Sequence, residues 1–162
     1  MAIVAEGNRG RVYLAPTPAM ESIALTAKPS WKPETPLPND PRNFWTPAYG
    51  LSTFGDLFTA RQLVALTTFS DLVQEARERV KVDAIDAGRP DEETPMREGG
   101  VGASAYGDAV EVYLGFVVSS QSDRMTTICT WDAGGSTWGT KTRNTFARQA
   151  IPMSWDFAEV NP

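Results

Sequence analysis

The stretch Phe58-Thr-Ala-Arg-Gln-Leu63 marks the start of the longest helix that this sequence predicts. The Thr59 hydroxyl can accept a hydrogen bond from the third helical N–H, and the Gln62 side chain can reach back to the Thr59 N–H, as in a capping box. Gly88 supplies a residue that tolerates a left-handed stop. Between these signals, apolar residues recur at the three- and four-residue spacing of one helical face: Leu66, Phe69, Val73, Ala76, Val80, Ala84 and Ala87. The sequence therefore predicts one helix from about residue 60 to residue 87.

A second long helix is predicted from about residue 104 to residue 122, with Ser104 as its cap. It follows a polar loop at residues 89–102 that contains both proline and glycine. Its apolar residues surround the helix almost completely: Val110, Val112, Tyr113, Leu114, Phe116, Val117 and Val118. Because a helix that is apolar all round is normally buried, we expect this one at the centre of the fold.

Four shorter elements are indicated by local patterns. Residues 2–14 fit a β-hairpin whose turn is Gly7-Asn-Arg-Gly10, and residues 17–27 fit a short helix. The β-branched run at residues 126–131 predicts a strand, and residues 144–149 predict a further short helix. We therefore expect an α+β fold that is mainly α, with two long helices, an N-terminal β-hairpin and one or more short strands.

A proline-rich strap separates the N-terminal elements from the long helices. Six of the twelve prolines lie in it: Pro29, Pro33, Pro36, Pro38, Pro41 and Pro47. Each X-Pro step favours extended backbone, so the strap should cross the surface without regular structure. Four aromatic residues punctuate it: Trp31, Phe44, Trp45 and Tyr49. These rings either pin the strap to the core or form a polyproline ligand or a base-stacking platform.

Composition limits the possible function classes. The chain has Lys+Arg 15, Asp+Glu 20, no histidine and a formal net charge of −5. Histidine-activated nucleophiles and His-ligated metals are thereby excluded. The single cysteine, Cys129, allows no Cys-based zinc site and is expected to be a small core residue. An acidic chain has no general attraction to nucleic acid, so any DNA contact needs a local basic patch.

The length of 162 residues predicts a single domain. Within it, we expect the hairpin and short helix at residues 1–27, the strap at 28–53 and a helical body at 54–162. The sequence contains neither a signal-peptide pattern nor a run of about 18–20 apolar residues that could span a bilayer. A cytoplasmic location with no membrane partner is therefore the expectation.

The stretch Gly100-Val-Gly-Ala-Ser-Ala105 formally fits a glycine-rich dinucleotide-binding motif. A polar loop precedes it, whereas the motif requires a preceding strand. The better interpretation is a helix start at which small residues allow close backbone approach. No residue of this chain is therefore assigned to cofactor binding.

The segment from residue 143 to residue 157 has the strongest functional character, because it combines arginines, amide side chains and aromatic rings. Its arginines can hold phosphates, and its amides can read an adenine edge. Together with arginines from elsewhere in the chain, the candidate nucleic-acid-binding residues are Arg61, Arg124, Arg143, Asn144, Arg148 and Gln149. An Arg–carboxylate network that ties the C-terminal segment to the core explains the same residues equally well, and both interpretations stay open.

Four stretches carry a resemblance to a known family. They are Phe58-Thr-Ala-Arg-Gln-Leu-Val-Ala-Leu-Thr-Thr-Phe-Ser-Asp-Leu-Val73, Ala105-Tyr-Gly-Asp-Ala-Val-Glu-Val-Tyr-Leu114, Asn144-Thr-Phe-Ala-Arg-Gln-Ala-Ile-Pro-Met153 and Trp155-Asp-Phe-Ala-Glu-Val-Asn-Pro162. In consistent order, they resemble a middle region of large adenine-specific DNA methylases that are associated with conjugative elements and phage defence. Members of that family carry an internal zinc ribbon and an N-terminal domain of unknown function.

The resemblance implies a parent DNA (adenine) methyltransferase that uses S-adenosylmethionine and binds zinc. In that family the glycine-rich methyl-donor motif and the zinc ribbon lie upstream of this region, and the catalytic Asp-Pro-Pro-Tyr motif lies downstream. Because this chain contains none of them, we expect an internal segment that is inactive alone and has no catalytic or metal residue. Its expected partners are the missing methyltransferase halves and DNA. A protein-interaction or structural module with no nucleic-acid role is the alternative.

Overall fold

The computed structural model describes residues 3–8, 10–38, 45–132, 141–147 and 150–160, and only the backbone of Glu6 and Trp45. These residues form the predicted α+β, mainly helical fold, with four helices and two antiparallel strand pairs. The helices are α1 (Pro18–Thr26), α2 (Trp45–Ala48), α3 (Ala60–Asp86) and α4 (Ala103–Ser122). The strands are β1 (Ile3–Gly7), β2 (Gly10–Leu14), β3 (Trp131–Asp132) and β4 (Lys141–Thr142).

The N-terminal hairpin and the short helix after it are confirmed. β1 pairs with β2 from Ile3 opposite Leu14 to Gly7 opposite Gly10. All five residues of β2 are exposed, so the hairpin lies on the surface. At the start of α1, the Thr17 hydroxyl accepts a hydrogen bond from the backbone N–H of residue 20.

The predicted caps of α3 are both present. The Thr59 N–H donates to Gln62 Oε1 at 2.8 Å, and the Gln62 N–H donates to the Thr59 hydroxyl at 3.2 Å. Gly88 has a φ of +91°, a left-handed conformation that favours glycine and ends the helix. The long-helix prediction is therefore confirmed to within one residue at its C-terminal end.

α3 and α4 pack side by side in opposite directions. Gln74 donates to Glu111, and Arg77, further along α3, pairs with Asp108, so the two helices pass each other in reverse order. The distance from Arg77 Nη2 to Asp108 Oδ1 is 2.7 Å, and Arg77 Nε lies 3.3 Å from Glu111 Oε2. Gly107 permits this close packing, because a Cβ there would lie 3.1 Å from the Arg77 carbonyl oxygen.

The prediction that α4 is buried at the centre of the fold is wrong. Its buried residues lie in its first turns: Ala103, Ser104, Ala105 and Gly107. In its C-terminal half, large apolar side chains are exposed: Val112 (46%), Tyr113 (73%), Phe116 (66%) and Val117 (62%). Among the elements of the described chain, α4 contacts only α3 and the 3₁₀ turn Met96–Glu98. One side of the helix is therefore covered and the other is not.

Ser104 was expected to cap α4, but Gly102 occupies the cap position and Ser104 lies buried within the first turn. A Cβ at Gly102 would lie 2.8 Å from the Pro90 carbonyl oxygen, and one at Gly100 would lie 1.9 Å from the Thr94 carbonyl oxygen. The polar loop folds back against the helix start at this point. Close backbone approach therefore explains the glycines of the dinucleotide-like motif.

Two further element predictions need correction. The strand expected at residues 126–131 is limited to its last residue, because β3 is Trp131–Asp132, paired with β4. Residues 126–128 form bends and turns instead, in which the Thr126 hydroxyl is buried against that of Thr145 at 2.6 Å. A helix was expected at residues 144–149, but residues 145–147 form bends. The backbone N–H groups of Thr145 and Phe146 donate to Asp123 and not to helical carbonyl groups. Residues 148 and 149 lie outside the described residues.

The buried core is small and lies where the strap, the 3₁₀ turn Phe54–Leu57 and the C-terminal segments meet. Its clustered apolar residues are Leu37, Leu57, Ile128 and Ile151. Backbone hydrogen bonds close the junction: Thr127 N donates to Leu57 O at 2.7 Å, and Ala158 N donates to Cys129 O at 2.8 Å. Cys129 is fully buried, which confirms it as a core residue.

The strap is attached through Leu37, which is 7% exposed, and through backbone hydrogen bonds to the 3₁₀ turn. Trp31 is 63% exposed, which does not fit the interpretation in which it pins the strap to the core. Tyr49 is half exposed. Phe44 and the side chain of Trp45 lie outside the described parts of the chain.

Candidate nucleic-acid interface

An open groove lies between the N-terminal hairpin and the β3–β4 pair. Its volume is about 950 Å³. Residues of β1 and β2 and residues of β3 and β4 line it, together with two residues of the C-terminal segment, Glu159 and Val160. The groove therefore depends on the convergence of the two ends of the chain.

Among the described residues, three cationic side chains line this groove: Arg11, Arg124 and Lys141. Arg11 lies on β2, Arg124 follows the end of α4, and Lys141 begins β4. Glu159 is the one carboxylate among the described side chains that line it, and Arg61 pairs with this carboxylate. The groove is therefore locally basic in a chain whose formal net charge is −5.

Arg124 and Lys141 carry the charges that a ligand can use. Arg124 Nη1 lies 3.4 Å from the Ser120 hydroxyl, and neither cation pairs with a carboxylate among the described residues. Lys141 is exposed at the start of its strand. Cations without a protein counter-charge retain their full attraction for phosphate oxygens.

Trp131 forms the aromatic part of the groove. β3 holds it opposite Thr142 of β4. The Arg11 guanidinium carbon lies 5.3 Å from the centroid of the Trp131 ring, a cation–π distance that fixes the position of Arg11. The indole Nε1 is buried and has no hydrogen-bond partner among the described residues. An unpaired buried donor destabilises a fold.

Asn144 also lines the groove, so the structure brings two of the six predicted residues together there, Asn144 and Arg124. Asn144 Nδ2 donates to Asp123 Oδ2 at 2.5 Å, and the Phe146 N–H donates to Asp123 Oδ1 at 2.8 Å. A bidentate contact to adenine needs both the donor and the acceptor of the amide. Asp123 takes one of the two N–H donors of the amide, so the hydrogen bond that the structure shows for Asn144 is structural.

The other two predicted residues within the described chain are engaged in ion pairs. Arg61 pairs with Glu159, whose second oxygen accepts a hydrogen bond from Gln62 Nε2 at 2.6 Å. Arg143 Nη2 lies 3.4 Å from Asp132 Oδ2, while its side chain is 61% exposed. Arg61 therefore ties the C-terminal segment to α3, whereas Arg143 keeps an accessible guanidinium next to the groove strand β4.

Arg148 and Gln149 lie outside the described residues, so their predicted role stays a prediction. Sequence reasoning missed three groove residues: Arg11, Lys141 and Trp131. They come from opposite ends of the chain, and no local motif joins them. The only local signal was the position of Trp131, which follows the β-branched run and precedes the arginine-containing segment.

Two carboxylates with lowered pKa values lie outside the groove. A hydrogen bond from the Met96 N–H, together with one from Arg77, lowers the pKa of Asp108. The Thr53 N–H lowers the pKa of Asp56 to about 2. Both carboxylates accept hydrogen bonds from backbone N–H groups, so they fix turns of the chain.

Within the described part of the chain, no group of three or more His, Cys, Asp or Glu residues is placed to hold a metal ion. None of its helices combines the length and apolar character needed to cross a membrane.

The groove offers cations for phosphate oxygens and a tryptophan ring with a stacked guanidinium. No protein-family model, curated protein or solved structure matches this chain significantly. The interpretation of the groove therefore depends on its own geometry and on the sequence stretches that carry the resemblance.

Proposed function

We propose that this chain is an accessory segment of an S-adenosylmethionine-dependent, adenine-specific DNA methyltransferase and that it contacts DNA through the groove. The segment acts in the cytoplasm, is catalytically incomplete alone and works with the missing methyltransferase halves. The methyltransferase part of the proposal rests on the sequence resemblance. The DNA contact rests on one observation, the convergence of Arg11, Arg124 and Lys141 in a single groove.

Local charge explains how an acidic protein can hold DNA. Phosphate contacts position a protein on DNA through Lys and Arg, and each neutralised phosphate releases counterions. The two cations that a ligand can use, Arg124 and Lys141, correspond to a slope of about −2 in a plot of log affinity against log salt concentration. Affinity should therefore be weak, with a Kd of roughly 1–100 μM at low salt, and should fall steeply as salt is added.

A charge-reversal experiment tests this contact. The binding of a fluorescently labelled DNA duplex is measured by anisotropy at about 50 mM salt for the wild type and for Lys141→Glu. Lys141 is exposed and unpaired among the described residues, so its reversal should weaken binding by about tenfold or more without loss of folding.

Arg97→Glu is the matched control, because it makes the same change of charge at a side chain that is 83% exposed and does not line the groove. Its DNA affinity should stay within about twofold of the wild type. Equal losses in the two variants would show that only net charge matters, and absence of binding by the wild type at about 100 μM protein would refute the DNA contact.

The uncovered side of α4 favours a second candidate function, a protein-interaction module without a nucleic-acid role. Contiguous exposed apolar surface on a folded domain marks interaction sites. The four apolar side chains from residue 112 to residue 117 form such a surface. A chain that binds no DNA but associates through α4 would fit this second function.

A further inference from the structure

The exposed side of α4 is one continuous apolar surface. At 100° per residue, its apolar side chains fall within about 140° of helical rotation. They are Val112, Tyr113, Phe116 and Val117, hereafter the α4 face, and each is at least 46% exposed. The opposite side of the helix packs against α3. The α4 face is thus aligned along one helix, so a second helix can cover it as a unit.

Gly115 borders the α4 face and has no role within the chain that the structure shows. A glycine inside a helix is destabilising relative to alanine, so its presence needs a reason. Gly107 has one, because a Cβ there would approach the α3 backbone. At Gly115, no atom of the described residues lies within 4 Å of the position that a Cβ would take. The absence of a side chain at Gly115 leaves room for the close approach of a helix from outside.

The charge pattern fits a second copy of this chain as the partner of the α4 face. No charged residue occurs from Val112 to Ser122, although the chain as a whole carries a net charge of −5. Two copies of an acidic protein repel each other on most of their surfaces. A two-fold axis also places each residue of an interface near its own copy, so a charged face would oppose itself. The uncharged C-terminal half of α4 is a surface on which two copies meet without this repulsion.

The exposed apolar area is about half of what one partner buries in a standard interface, which corresponds to a weak dimer. An aromatic side chain can bury about 150–250 Å², so the exposed parts of Tyr113 (73%) and Phe116 (66%) amount to roughly 210–350 Å². Val112 and Val117 raise this area to about 400 Å². A stable interface buries about 800 Å² per partner, of which the centre is apolar and the rim polar. The α4 face supplies the apolar centre, and the exposed serines at positions 119 and 120 belong to the rim.

We propose that the α4 face is the interface of a symmetric dimer of this chain, in which α4 of one copy packs on α4 of the other. Tyr113 and Phe116 are its central side chains, and Gly115 lets the two helices approach closely. The expected dissociation constant is roughly 1–100 μM, given the limited area. This proposal does not depend on the proposed DNA contact, since the α4 face contains none of the residues that line the groove.

Sedimentation velocity without nucleic acid tests the dimer directly. The wild type should change from monomer to dimer as its concentration rises through the micromolar range. Phe116→Glu places a charge against its own copy at the centre of the interface, so the dimer dissociation constant should rise by at least about tenfold. Ile23→Glu is the matched control, because Ile23 on α1 is 67% exposed and Phe116 is 66% exposed. Its dissociation constant should stay within about threefold of the wild type.

Gly115→Gln separates loss of the dimer from loss of folding. Within one copy the new side chain has space, and glutamine favours a helix more than glycine does, so the melting temperature of the monomer should be unchanged or higher. In the dimer, the side chain holds the two helices apart. A stable Gly115→Gln monomer supports the proposal. A wild type that stays monomeric at about 200 μM, or a Phe116→Glu or Gly115→Gln variant that dimerises like the wild type, would overturn it.

Discussion

The junction core and the C-terminal half of α4 reverse the usual relation between apolar character and burial. The junction core is the region around Leu57, Thr126 and Cys129, all of which are fully buried. Two other polar residues, Thr46 and Gln62, are fully buried with them. In contrast, α4 carries the larger apolar side chains and exposes them. In this molecule, burial follows the number of chain segments that meet at a site more closely than the hydrophobicity of any one segment.

Several segments meet at the junction core, and hydrogen bonds allow its polar residues to be buried. The Thr145 hydroxyl lies 2.6 Å from that of Thr126 and 3.1 Å from the Cys129 sulfur. The Thr127 hydroxyl donates to the Leu57 carbonyl oxygen at 3.0 Å. Because buried polar groups with partners avoid most of the desolvation cost, threonines can replace larger apolar residues there.

The ion pairs that join α4 to α3 lie in the N-terminal half of α4. The ion pairs of Arg77 with Asp108 and Glu111 and the contact at Gly107 hold its N-terminal half against α3. Beyond Glu111 no ion pair joins the two helices among the described residues. The C-terminal half of α4 therefore keeps contact with α3 on one side and has its apolar opposite side uncovered.

The largest expected effect on stability concerns the buried junction core. Leu57→Ala removes a side chain that is fully buried, so the free energy of unfolding should fall by about 2–5 kcal/mol. Leu25→Ala is the matched control, because Leu25 on α1 is 87% exposed and its loss should change stability by less than about 0.5 kcal/mol. Urea unfolding followed by circular dichroism measures both. A loss below about 1 kcal/mol for Leu57→Ala would show that the junction core is not the stabilising centre.

Local signals predicted the elements whose causes lie close together in the sequence. The capping box at Thr59 and the stop at Gly88 define α3 almost completely, because each acts within one helical turn. The burial of α4 could not be predicted in this way. Its apolar pattern shows that it can be buried, but whether an element covers its second side depends on tertiary packing.

The residues of the groove were likewise only partly predictable, because the groove forms by tertiary packing. Asn144 was predicted because it belongs to the segment at residues 143–157, and Arg124 was predicted as an arginine from elsewhere in the chain that could converge on this segment. Arg11 and Lys141 were not, because the hairpin and β4 come together only in the fold. The ion pair of Arg61 with Glu159 likewise joins the start of α3 to the C-terminal segment. Contacts between distant segments decide which arginines are available to a ligand.

An intermediate effect tests how the junction core is supported at its edge. Asp56 accepts hydrogen bonds from the Thr53 N–H at 2.8 Å and the Ser52 N–H at 3.0 Å, which shape the 3₁₀ turn that carries Leu57. The Thr53 N–H is the main cause that lowers the Asp56 pKa from 3.8 to about 2. The ionised carboxylate therefore stabilises the folded state fully above about pH 4, and this contribution is lost as the pH falls through about 2.

Asp56→Asn should lower the free energy of unfolding at pH 7 by about 1–2 kcal/mol, a value reduced for solvent screening because a quarter of the side chain is exposed. The difference in the free energy of unfolding between the wild type and Asp56→Asn should shrink as the pH approaches 2. Urea unfolding at a series of pH values measures it. A difference that stays constant from pH 7 to pH 2 would mean that the charge of Asp56 is not what stabilises the turn.

The smallest expected effect on stability concerns the exposed C-terminal half of α4. Phe116→Ala removes a large apolar side chain that is 66% exposed, so little burial is lost on its removal. Alanine also has the higher helix propensity, which offsets part of that loss. In dilute solution, where the chain is monomeric, the free energy of unfolding should therefore change by less than about 1 kcal/mol. A loss of about 3–5 kcal/mol would show that α4 is buried after all.

At concentrations above the proposed dimer dissociation constant, Phe116→Ala should lose more stability relative to the wild type, because association stabilises only the wild type by mass action. A stability difference that grows with protein concentration would therefore assign the apolar side chains of α4 to a contact between copies.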